Sequence, residues 1–382
     1  MTTLDGLLAF AAKARVEDGF GYLLGDGTVD ASRGLETWIN ARMTHVFSLG
    51  VVMGRDGARS LAQQGIAALQ GPLRDQQQDG WFSDSLTAGD KAAYDHAFVV
   101  LAGSSAALAG LGDELLTDAL AVWDTRFWDE DSGTAVEVWD RTWSVCQDYR
   151  GANANMHGVE AMLAAAEALP ARRAELLQRC VRVLERVVHH EARGRAWRLP
   201  EHFDGSWNAV LDYNADKPAD AFRPFGVTPG HQFEWARLAA HTAVALGDGA
   251  PGWLLDDPRA LYAAAKDRGW SGGGFVYTLD WEDRPVVAQQ FHWVLAEAIS
   301  AAAVLGRVTG DPGYVVDQQV WTTLAEERFA DPTTGSWVHE LDPDGTPSTG
   351  TWTGQPDAYH VVQSLLLTEL PVTGSVARSL LG

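Results

Sequence analysis

Cysteine is nearly absent from the sequence: among 382 residues only Cys146 and Cys180 occur, and they form no Cys-x-x-Cys pair. This scarcity excludes a thiolate zinc site and a disulfide framework, and it leads us to expect a reducing, cytoplasmic environment. No apolar run approaches the roughly 18–20 residues that a membrane-spanning helix needs. The apolar stretch at the N-terminus has no basic start and stops at Lys13, so we expect an amphipathic first helix there instead of a signal peptide.

Basic residues are also scarce, since 29 Lys and Arg stand against 51 Asp and Glu, for a formal net charge of −22. A surface this negative repels phosphate backbones and anionic lipid, so we expect neither nucleic acid nor a membrane as a partner. Only four residues are lysines, which leaves few candidates for Schiff-base chemistry. The common sequence signatures of phosphate-binding loops, GxSxG hydrolases and HExxH zinc sites are all missing.

What the chain does have is helical periodicity. Apolar residues make up 46% of the sequence and recur at three- and four-residue spacing in alanine- and leucine-rich stretches such as 238–247 and 296–306. Strand-like alternation is short and confined to loops, as at 337–341, where it predicts a hairpin. No linker or low-complexity tract divides the chain. We therefore expect one helical domain spanning residues 1–382, with short β-hairpins in its loops.

Six histidines mark a repeat along the chain. Each stands near the start of an alanine- and leucine-rich segment, and the intervals between them leave room for a second helix and a loop. They are His45, His96, His157, His231, His292 and His360. Six helix pairs predict an all-α (α/α)6 barrel, in which six inner helices are ringed by six outer ones. The alternative is a chance alignment of histidines in a general helical bundle.

The predicted helix starts place two of these histidines in first turns. Thr228 and Pro229 indicate an N-cap followed by proline at the first helical position, and Pro356 has the same pattern before His360. Equivalent helix starts in a barrel meet at one end. Residues that are distant in the sequence, including His231 and His360, are then expected to converge in one cavity.

Two His-x-x-Glu pairs are candidates for proton-transfer chemistry. His231 and Glu234 share one helix face, where the carboxylate favours imidazolium and the helix N-terminus favours neutral imidazole, so the pair suits a general base. His157 and Glu160 repeat the spacing, with Asn153 one turn earlier. Such a polar stripe must be hydrogen-bonded, either to a hydroxyl-rich ligand or to water. The pairs could also be purely structural, or could ligate a divalent ion, although we expect no metal.

Other polar and aromatic residues stand out on apolar helices. Arg42 could stabilise an oxyanion or clamp a hydroxyl pair, and the alternative is a buried salt bridge. Trp293 and Glu297, four residues apart, share a helix face, while we expect Tyr359 to serve in packing. Sixteen tryptophans give weak support to a carbohydrate ligand, because indole faces stack on sugar rings.

Together these residues resemble the N-acylglucosamine 2-epimerase superfamily, whose fold is an (α/α)6 barrel. The similarity extends along nearly the whole chain and is carried by Trp293 with Glu297 and by five segments. These are RM at 42–43, YDHAF at 94–98, NANMH at 153–157, GHQFEW at 230–235 and GQPDAYH at 354–360. The PDAYH ending resembles the branch of mannose and sulfoquinovose isomerases, whereas cellobiose 2-epimerases typically carry a different sequence at this position.

The resemblance implies an aldose–ketose isomerase that needs no metal or other cofactor and interconverts D-mannose and D-fructose, with lyxose or talose as related substrates. Ring opening would precede a cis-enediol(ate) intermediate, with Glu234 orienting His231 and Arg42 holding charge on O1 and O2. The implied catalytic residues are His231, His360, Glu234, Arg42 and His157. The implied substrate contacts are Tyr94, Asn153, Trp293, Glu297, Gln355 and Asp357, although isomerases of the family often have a basic residue in place of Gln355.

Four alternatives stay open at this point. A sugar 2-epimerase or a sulfoquinovose isomerase would use the same fold, and the latter needs a cationic pocket for the sulfonate. A glycoside hydrolase would need two carboxylates about 5–10 Å apart across the cavity. A sugar-binding protein without activity is the fourth. Segment 201–229 is a candidate lid or a plain surface connection, and the sequence decides neither the oligomeric state nor which of His231 and His360 takes the C2 proton.

Overall fold

The computed structural model describes residues 2–382, and this part of the chain contains thirteen α-helices. Six of them, buried on nearly every side, form an inner ring: α2 (Thr37–Val52), α4 (Ala93–Leu108), α6 (Ala152–Ala168), α8 (Pro229–Leu246), α10 (His292–Thr309) and α12 (Tyr359–Glu369). The others lie outside this ring or across its end: α1 (Leu4–Ala11), α3 (Ala58–Gln70), α5 (Glu114–Val122), α7 (Arg173–Leu184), α9 (Trp253–Gly269), α11 (Pro312–Arg328) and α13 (Val376–Leu381).

The inner helices close into a barrel. Each packs on the next in chain order, and α12 returns to pack on α2. Helices α3, α5, α7, α9 and α11 each cover the inner helix that precedes them, whereas α1, from the other end of the chain, lies against α12 and α2 as the sixth outer helix. The predicted (α/α)6 barrel is therefore confirmed. The short helix α13 contacts α2, α4, α6 and α12 and so crosses one end of the barrel.

Small residues permit this close packing. Gly103 on α4 lies against the backbone of Leu116 on the outer helix α5, where an added Cβ would come within 2.7 Å of Leu116 backbone atoms. Gly158 on α6 faces the ring of Trp123 in the same way, at 2.9 Å. An inner helix surrounded on all sides must be apolar on all sides, which explains why alanine and leucine dominate these segments.

The β-structure consists of eight antiparallel pairs of very short strands in the loops. They are β1 (Arg15–Val16) with β2 (Gly19–Phe20), β3 (Lys91–Ala92) with β6 (Val138–Trp139), β4 (Trp128–Asp129) with β5 (Thr134–Ala135), β7 (Arg150–Gly151) with β8 (His202–Phe203), β9 (Trp270–Ser271) with β10 (Gly274–Phe275), β11 (Thr278–Leu279) with β12 (Pro285–Val287), β13 (Gln290–Phe291) with β16 (Glu340–Leu341), and β14 (Ala330–Asp331) with β15 (Ser336–Trp337). The strand-like segment at 337–341 is confirmed as part of a hairpin, since β15 pairs with β14 across the turn at 332–335, but its other end, β16, pairs with the distant β13.

Of the two predicted helix starts, that of α8 is confirmed and that of α12 is wrong. Helix α8 begins at Pro229 after Thr228, as predicted. Helix α12 does not begin at Pro356; it begins at Tyr359, whose N–H donates to the Asp357 carboxylate at 2.8 Å. His360 still lies in the first turn. Within residues 2–382, no helix combines the length and apolar character required to cross a bilayer.

Candidate active site

The first turns of the six inner helices surround a cavity at one end of the barrel. Each inner helix contributes at least one polar or aromatic side chain to its wall. Among the predicted residues these are Arg42, Tyr94, Asn153, His157, His231, Glu234, Trp293, Asp357 and His360. The structure thus brings together all the predicted site residues except Glu297 and Gln355, which do not line the cavity.

Trp293 packs against both His231 and His360. Its ring centroid is 5.3 Å from that of His231 and 5.6 Å from that of His360, with interplanar angles of 36° and 35°. Gly230 makes this contact possible, since a Cβ there would come within 2.4 Å of the indole. The two imidazoles, far apart in the sequence, therefore share one aromatic neighbour on one cavity wall.

His231 is held by a carboxylate that the sequence did not indicate. Its Nδ1 lies 3.0 Å from Oε1 of Glu201, a buried residue just before β8. The backbone carbonyl of Glu201 accepts a hydrogen bond from Ala152 N–H at 2.9 Å, which fixes the segment to the start of α6. The expectation that Glu234 orients His231 is thus wrong: the partner comes from the preceding loop, 30 residues away, and no helical spacing could reveal it.

His360 is held in the same way by Glu297. Its Nδ1 lies 2.9 Å from Oε1 of Glu297, which is buried behind the histidine instead of facing the cavity. Burial, and then the nearby Arg42 guanidinium, lower the pKa of His360 well below its usual range. The imidazole of His360 is therefore neutral near pH 7, with Nε2 as the nitrogen left free to act as a base.

His157 faces two carboxylates without a hydrogen bond to either. Its Nδ1 lies 3.6 Å from Oε2 of Glu160 and 3.7 Å from Oε1 of Glu234. Burial lowers the pKa of His157 to about 4, so this ring is also neutral. Glu160 is instead bound by the hydroxyl of Tyr359 and by Nε2 of Gln363. Tyr359 therefore has a polar role in addition to the expected packing.

One buried guanidinium serves three buried carboxylates beneath the cavity. Nε of Arg237 donates to Glu297 at 2.9 Å, and its NH2 lies 3.4 Å from Glu234 and 3.6 Å from Glu160. A single positive charge cannot neutralise three negative ones, and burial together with Glu297 raises the pKa of Glu234 well above its usual range. Glu234 is therefore protonated near pH 7. Sequence analysis missed Arg237, although it follows Glu234 by one helical turn.

Arg42 is both a buried ion pair and part of the cavity wall. Its guanidinium donates to Asp357 at 3.1 Å and to the hydroxyl of Tyr94 at 2.9 Å. It also lies over the rings of Phe98 and Tyr359, with its Cζ 4.4 and 4.7 Å from their centroids. Burial alone would raise the carboxyl pKa of Asp357, but Arg42 outweighs it and the pKa is lowered. The geometry is thus compatible both with contact between Arg42 and a ligand in the cavity and with a buried salt bridge to Asp357.

Two further histidines line the cavity, and sequence analysis gave neither a role in the site. Nδ1 of His292 lies 3.1 Å from the carbonyl of His339, and the two rings are 4.6 Å apart. Burial lowers the pKa of His292 to about 4 and that of His339 well below its usual range. In the part of the chain that the structure describes, both ring nitrogens of His339 are buried without a hydrogen-bond partner. His339 lies in the segment 337–341, whose strand-like alternation predicted a hairpin and indicated no contact with a ligand.

Other members of the histidine series are structural. His45 lies two turns into α2, not near its start, and its Nδ1 contacts the Ser105 hydroxyl at 2.7 Å. His96 accepts the Trp81 N–H at 3.1 Å and does not line the cavity. Gln355 is likewise buried away from it, with its N–H donating to the Leu23 carbonyl at 2.9 Å. The repeat therefore located the inner helices correctly without identifying which histidines face a ligand.

Phe222, in the expected lid segment, lies at the mouth. Its ring makes edge contacts with Trp38, Tyr94 and Trp352, at centroid distances of 6.1, 5.7 and 5.2 Å. Beyond it is a wider outer cavity that shares the walls formed by Phe222, Tyr94 and Asn153. Phe222 thus stands between the inner cavity and a wider vestibule.

Comparison with known proteins shows the family to which this chain is similar and solved structures with the same fold. The family model for N-acylglucosamine 2-epimerase (GlcNAc 2-epimerase) matches residues 19–364. A D-mannose isomerase of Thermobifida fusca is 50% identical over 98% of this chain and 94% of its own length. A D-mannose isomerase of Pseudomonas cannabina pv. alisalensis is 44% identical over 98% of this chain and 93% of its own. A crystal structure of D-mannose isomerase has the same fold, with a TM-score of 0.86 at 24% identity, covering 96% of this chain and 95% of that one.

Proposed function

The chain belongs to the N-acylglucosamine 2-epimerase family and is an isomerase, and on that premise we propose that it interconverts D-mannose and D-fructose. Two relatives that match it over nearly their whole length carry the name D-mannose isomerase. Lyxose and talose, which are related aldoses, are further candidate substrates. The proposed reaction moves protons between carbon and oxygen of one sugar and needs no metal ion or redox cofactor.

The observation that carries the proposal is a pair of His–Glu dyads on one cavity. Glu201 holds Nδ1 of His231 and Glu297 holds Nδ1 of His360, at 3.0 and 2.9 Å. A carboxylate on Nδ1 fixes the tautomer and leaves the Nε2 lone pair available to a substrate. Two such imidazoles are what an aldose–ketose isomerase requires, because the sugar ring must open before the C2 proton is exchanged.

In the proposed mechanism His231 opens the ring by moving the O1 hydroxyl proton to the ring oxygen, which gives the open-chain aldehyde. Neutral His360 then removes the C2 proton at Nε2. The C–H electron pair forms the C1–C2 double bond, and the carbonyl electrons move to O1, where the Arg42 guanidinium offsets the negative charge. Transfer of the O2 proton to O1 and return of the carbon proton to C1 complete the ketose.

We assign the C2 base to His360 because of its surroundings. Burial first, and then the Arg42 guanidinium, lower the pKa of His360, so the positive charge that helps to keep this base neutral is also near the proposed enediolate. In the part of the chain that the structure describes, the His231 ring contacts Glu201 and Trp293, and neither of these is a cation. Arg42 thus favours proton removal on the side of His360.

Sugar hydroxyls would be bound by neutral polar groups around the two dyads. His339 presents two buried ring nitrogens without protein partners in the described residues, and protonated Glu234 can donate a hydrogen bond. Asn153 and Tyr94 line the same wall, and Trp293 offers an aromatic face. Such a set suits an uncharged polyol.

The contacts favour this reaction over two of the alternatives. A sulfonate needs an unpaired cation, yet within residues 2–382 each arginine lining either cavity faces a carboxylate: Arg42 faces Asp357, Arg33 faces Glu36, and Arg223 lies 3.9 Å from Glu137. A glycoside hydrolase needs two carboxyl groups free to act on the sugar. Here Glu201 and Glu297 already hold histidines and Asp357 holds Arg42, so among the acidic residues described at the cavity wall only Glu234 is without such a partner.

The test is product analysis by NMR after incubation with D-mannose in the presence of EDTA. Fructose is the expected product, and His360→Gln should lower the rate about 10²–10⁴-fold, the usual contribution of a general base. In heavy water a 2-epimerase would instead return glucose carrying deuterium at C2. Failure of mannose, lyxose and talose to yield any ketose would remove the proposal.

A further inference from the structure

Beneath the cavity proposed for the sugar, three side chains from the neighbouring inner helices α6 and α8 have nitrogen and oxygen atoms within 4.8 Å of one another. We propose that His157, Glu160 and Glu234 form a binding site for Zn²⁺, and that the bound ion blocks the sugar cavity. The site would be inhibitory and is not part of the reaction proposed above. One nitrogen and two carboxylate oxygens are the donor types that zinc accepts in proteins, and Glu234, protonated in the free protein, would release its proton to solvent when the ion binds.

The spacing of the three donor atoms suits a small tetrahedral ion. Zinc holds nitrogen and oxygen ligands at about 2.1 Å, so the ligand atoms around it lie roughly 3.4 Å apart. Nδ1 of His157 is 3.6 Å from Glu160 and 3.7 Å from Glu234, and all three donor atoms lie within 4.8 Å of one another. These separations are too long for hydrogen bonds and close to the edge of a zinc tetrahedron.

Buried polar atoms without hydrogen-bond partners give a second, independent reason to place an ion at this site. His157 and Glu234 are 4% and 1% exposed, and within residues 2–382 neither Nδ1 of His157 nor Oε2 of Glu234 has a hydrogen-bond partner. A buried polar atom without a partner is costly. The Glu234 oxygen that lies 3.7 Å from Nδ1 of His157 is Oε1, and Oε2 belongs to the same carboxyl group, so a cation that bound this carboxyl through both oxygens would satisfy both unpartnered atoms.

The supporting residues also suit a metal site. Tyr359 and Gln363 donate hydrogen bonds to Glu160 and so hold its carboxylate in place, as residues around zinc ligands commonly do. Among the described residues, the carboxyl groups of Glu160, Glu234 and Glu297 form ion pairs with only one guanidinium, that of Arg237. A divalent ion would supply the positive charge that this buried group lacks.

A second group in the described residues, Glu234 with Glu297 and His360, has similar spacing but is a weaker candidate. There, Nδ1 of His360 is already bound to Glu297 at 2.9 Å, and the other oxygen of Glu297 accepts from Arg237 at 2.9 Å. Zinc would have to break both contacts. At His157 the ring nitrogen has no partner to give up, and Oε2 of Glu160 can keep the hydrogen bond from Tyr359 while it binds the ion, which is why we assign the ion to that group.

The position of the ion is the reason that we expect it to inhibit the proposed reaction. His157 and Glu234 belong to the cavity wall, so the open coordination position of the ion would face the space where sugar hydroxyls bind. This part of the inference depends on the proposed function, whereas metal binding itself does not. Under the proposed function, Zn²⁺ should raise KM for mannose and leave kcat unchanged.

Titration calorimetry with Zn²⁺ and EDTA-treated, dialysed protein tests the site without any turnover. We expect one ion per chain, and at least tenfold weaker binding in His157→Gln and in Glu160→Gln. His360→Gln should bind as the wild type does. His190→Gln, which removes an exposed histidine beside His189, is the matched control for surface binding and should also be unchanged.

Co²⁺ bound to the unmodified protein gives a readout that needs no variant. The strong visible absorption of four-coordinate Co²⁺ is expected, with displacement by Zn²⁺. Absence of stoichiometric binding, a weak six-coordinate spectrum, loss of binding in His190→Gln, or loss in His360→Gln but not in His157→Gln would each overturn the assignment. Binding without inhibition of mannose turnover would retain the metal site and contradict only its effect on the sugar.

Discussion

Oε1 of Glu201 lies 3.0 Å from Nδ1 of His231, although 30 residues and a helix boundary separate them in the chain. The contact makes His231 the counterpart of His360, whose Nδ1 is held by Glu297. Two imidazoles with the same type of partner, one from a loop and one from a helix, therefore face one cavity. The loop partner is the more informative one, since it can be altered without changing the packing of the inner helices.

Replacement of Glu201 by glutamine should lower kcat at least tenfold and change KM little. The amide keeps the shape of the side chain but removes the charge that stabilises the imidazolium form of His231 during proton transfer. Steady-state kinetics with mannose checks this expectation. Glu185→Gln, an exposed site on the outer surface, should behave as the wild type does. Equal kcat in both variants would mean that Glu201 serves only the fold.

Arg42→Lys should reduce kcat by about 10²–10³-fold, the range seen when one oxyanion donor is lost. Lysine keeps the charge but not the planar fork that reaches Asp357 and Tyr94 together. Arg33→Lys is the control, because Arg33 pairs with Glu36 in the outer cavity. The proposed role for Arg42 is contradicted if both lysine variants retain full kcat.

His339→Phe should raise KM for mannose about tenfold or more and leave the protein at least as stable as the wild type. The phenyl ring fills the space of the imidazole, but it cannot bond to a sugar hydroxyl, and it removes two buried nitrogens that have no protein partner in the described residues. Thermal unfolding and substrate-dependence curves together separate the two effects. An unchanged KM would place the sugar elsewhere in the cavity.

Gly230→Ala should displace the Trp293 ring from its position against His231 and His360. The new Cβ would stand within 2.4 Å of the Trp293 ring, so the indole must move away from both histidines. We expect a loss of about 1–3 kcal/mol in the free energy of unfolding, as for other overpacked sites, together with lower kcat. Gly252→Ala, where no atom lies within 4 Å, is the control and should cost little in denaturant unfolding.

Asp95 should make stability depend on pH. Burial raises the pKa of this carboxyl from 3.8 to about 7, although Ser83 donates a hydrogen bond to it. Because the folded state binds the proton more tightly than the unfolded one, stability falls as pH rises from about 4 to about 7 and is level above that.

Asp95→Asn should abolish this fall, with a gain on the order of 3 kcal/mol at pH 8 relative to the wild type and little change at pH 4. Unfolding followed at both pH values measures the difference between the two proteins. Asp118→Asn, on the exposed face of α5, should show no such pH-dependent gain. A gain of equal size at both pH values would show that ionisation of Asp95 is not the cause.

Local patterns were sufficient for the architecture. Helical periodicity and the spacing of six histidines predicted the inner helices, since an inner helix must be apolar on all sides and close to its neighbours. Proline at the start of α8 located His231 in a first turn, and the shared helix starts brought it near His360. The sequence also indicated Arg42, His157 and Trp293 correctly as residues of one cavity wall.

The partners of these residues were decided only by the tertiary structure. Spacing along one helix suggested Glu234 for His231, but the contact is made by Glu201 from a loop, and Glu234 instead lies near Arg237 and His157. A helical pattern determines which side chains share a face, and it is silent about what approaches that face from another element. By itself the sequence therefore determined the barrel and those residues at its mouth that stand on helix starts with a regular pattern. The packing of loops against helix starts decided which carboxylate holds which imidazole and placed His339 in the wall, because such contacts have no period in the chain.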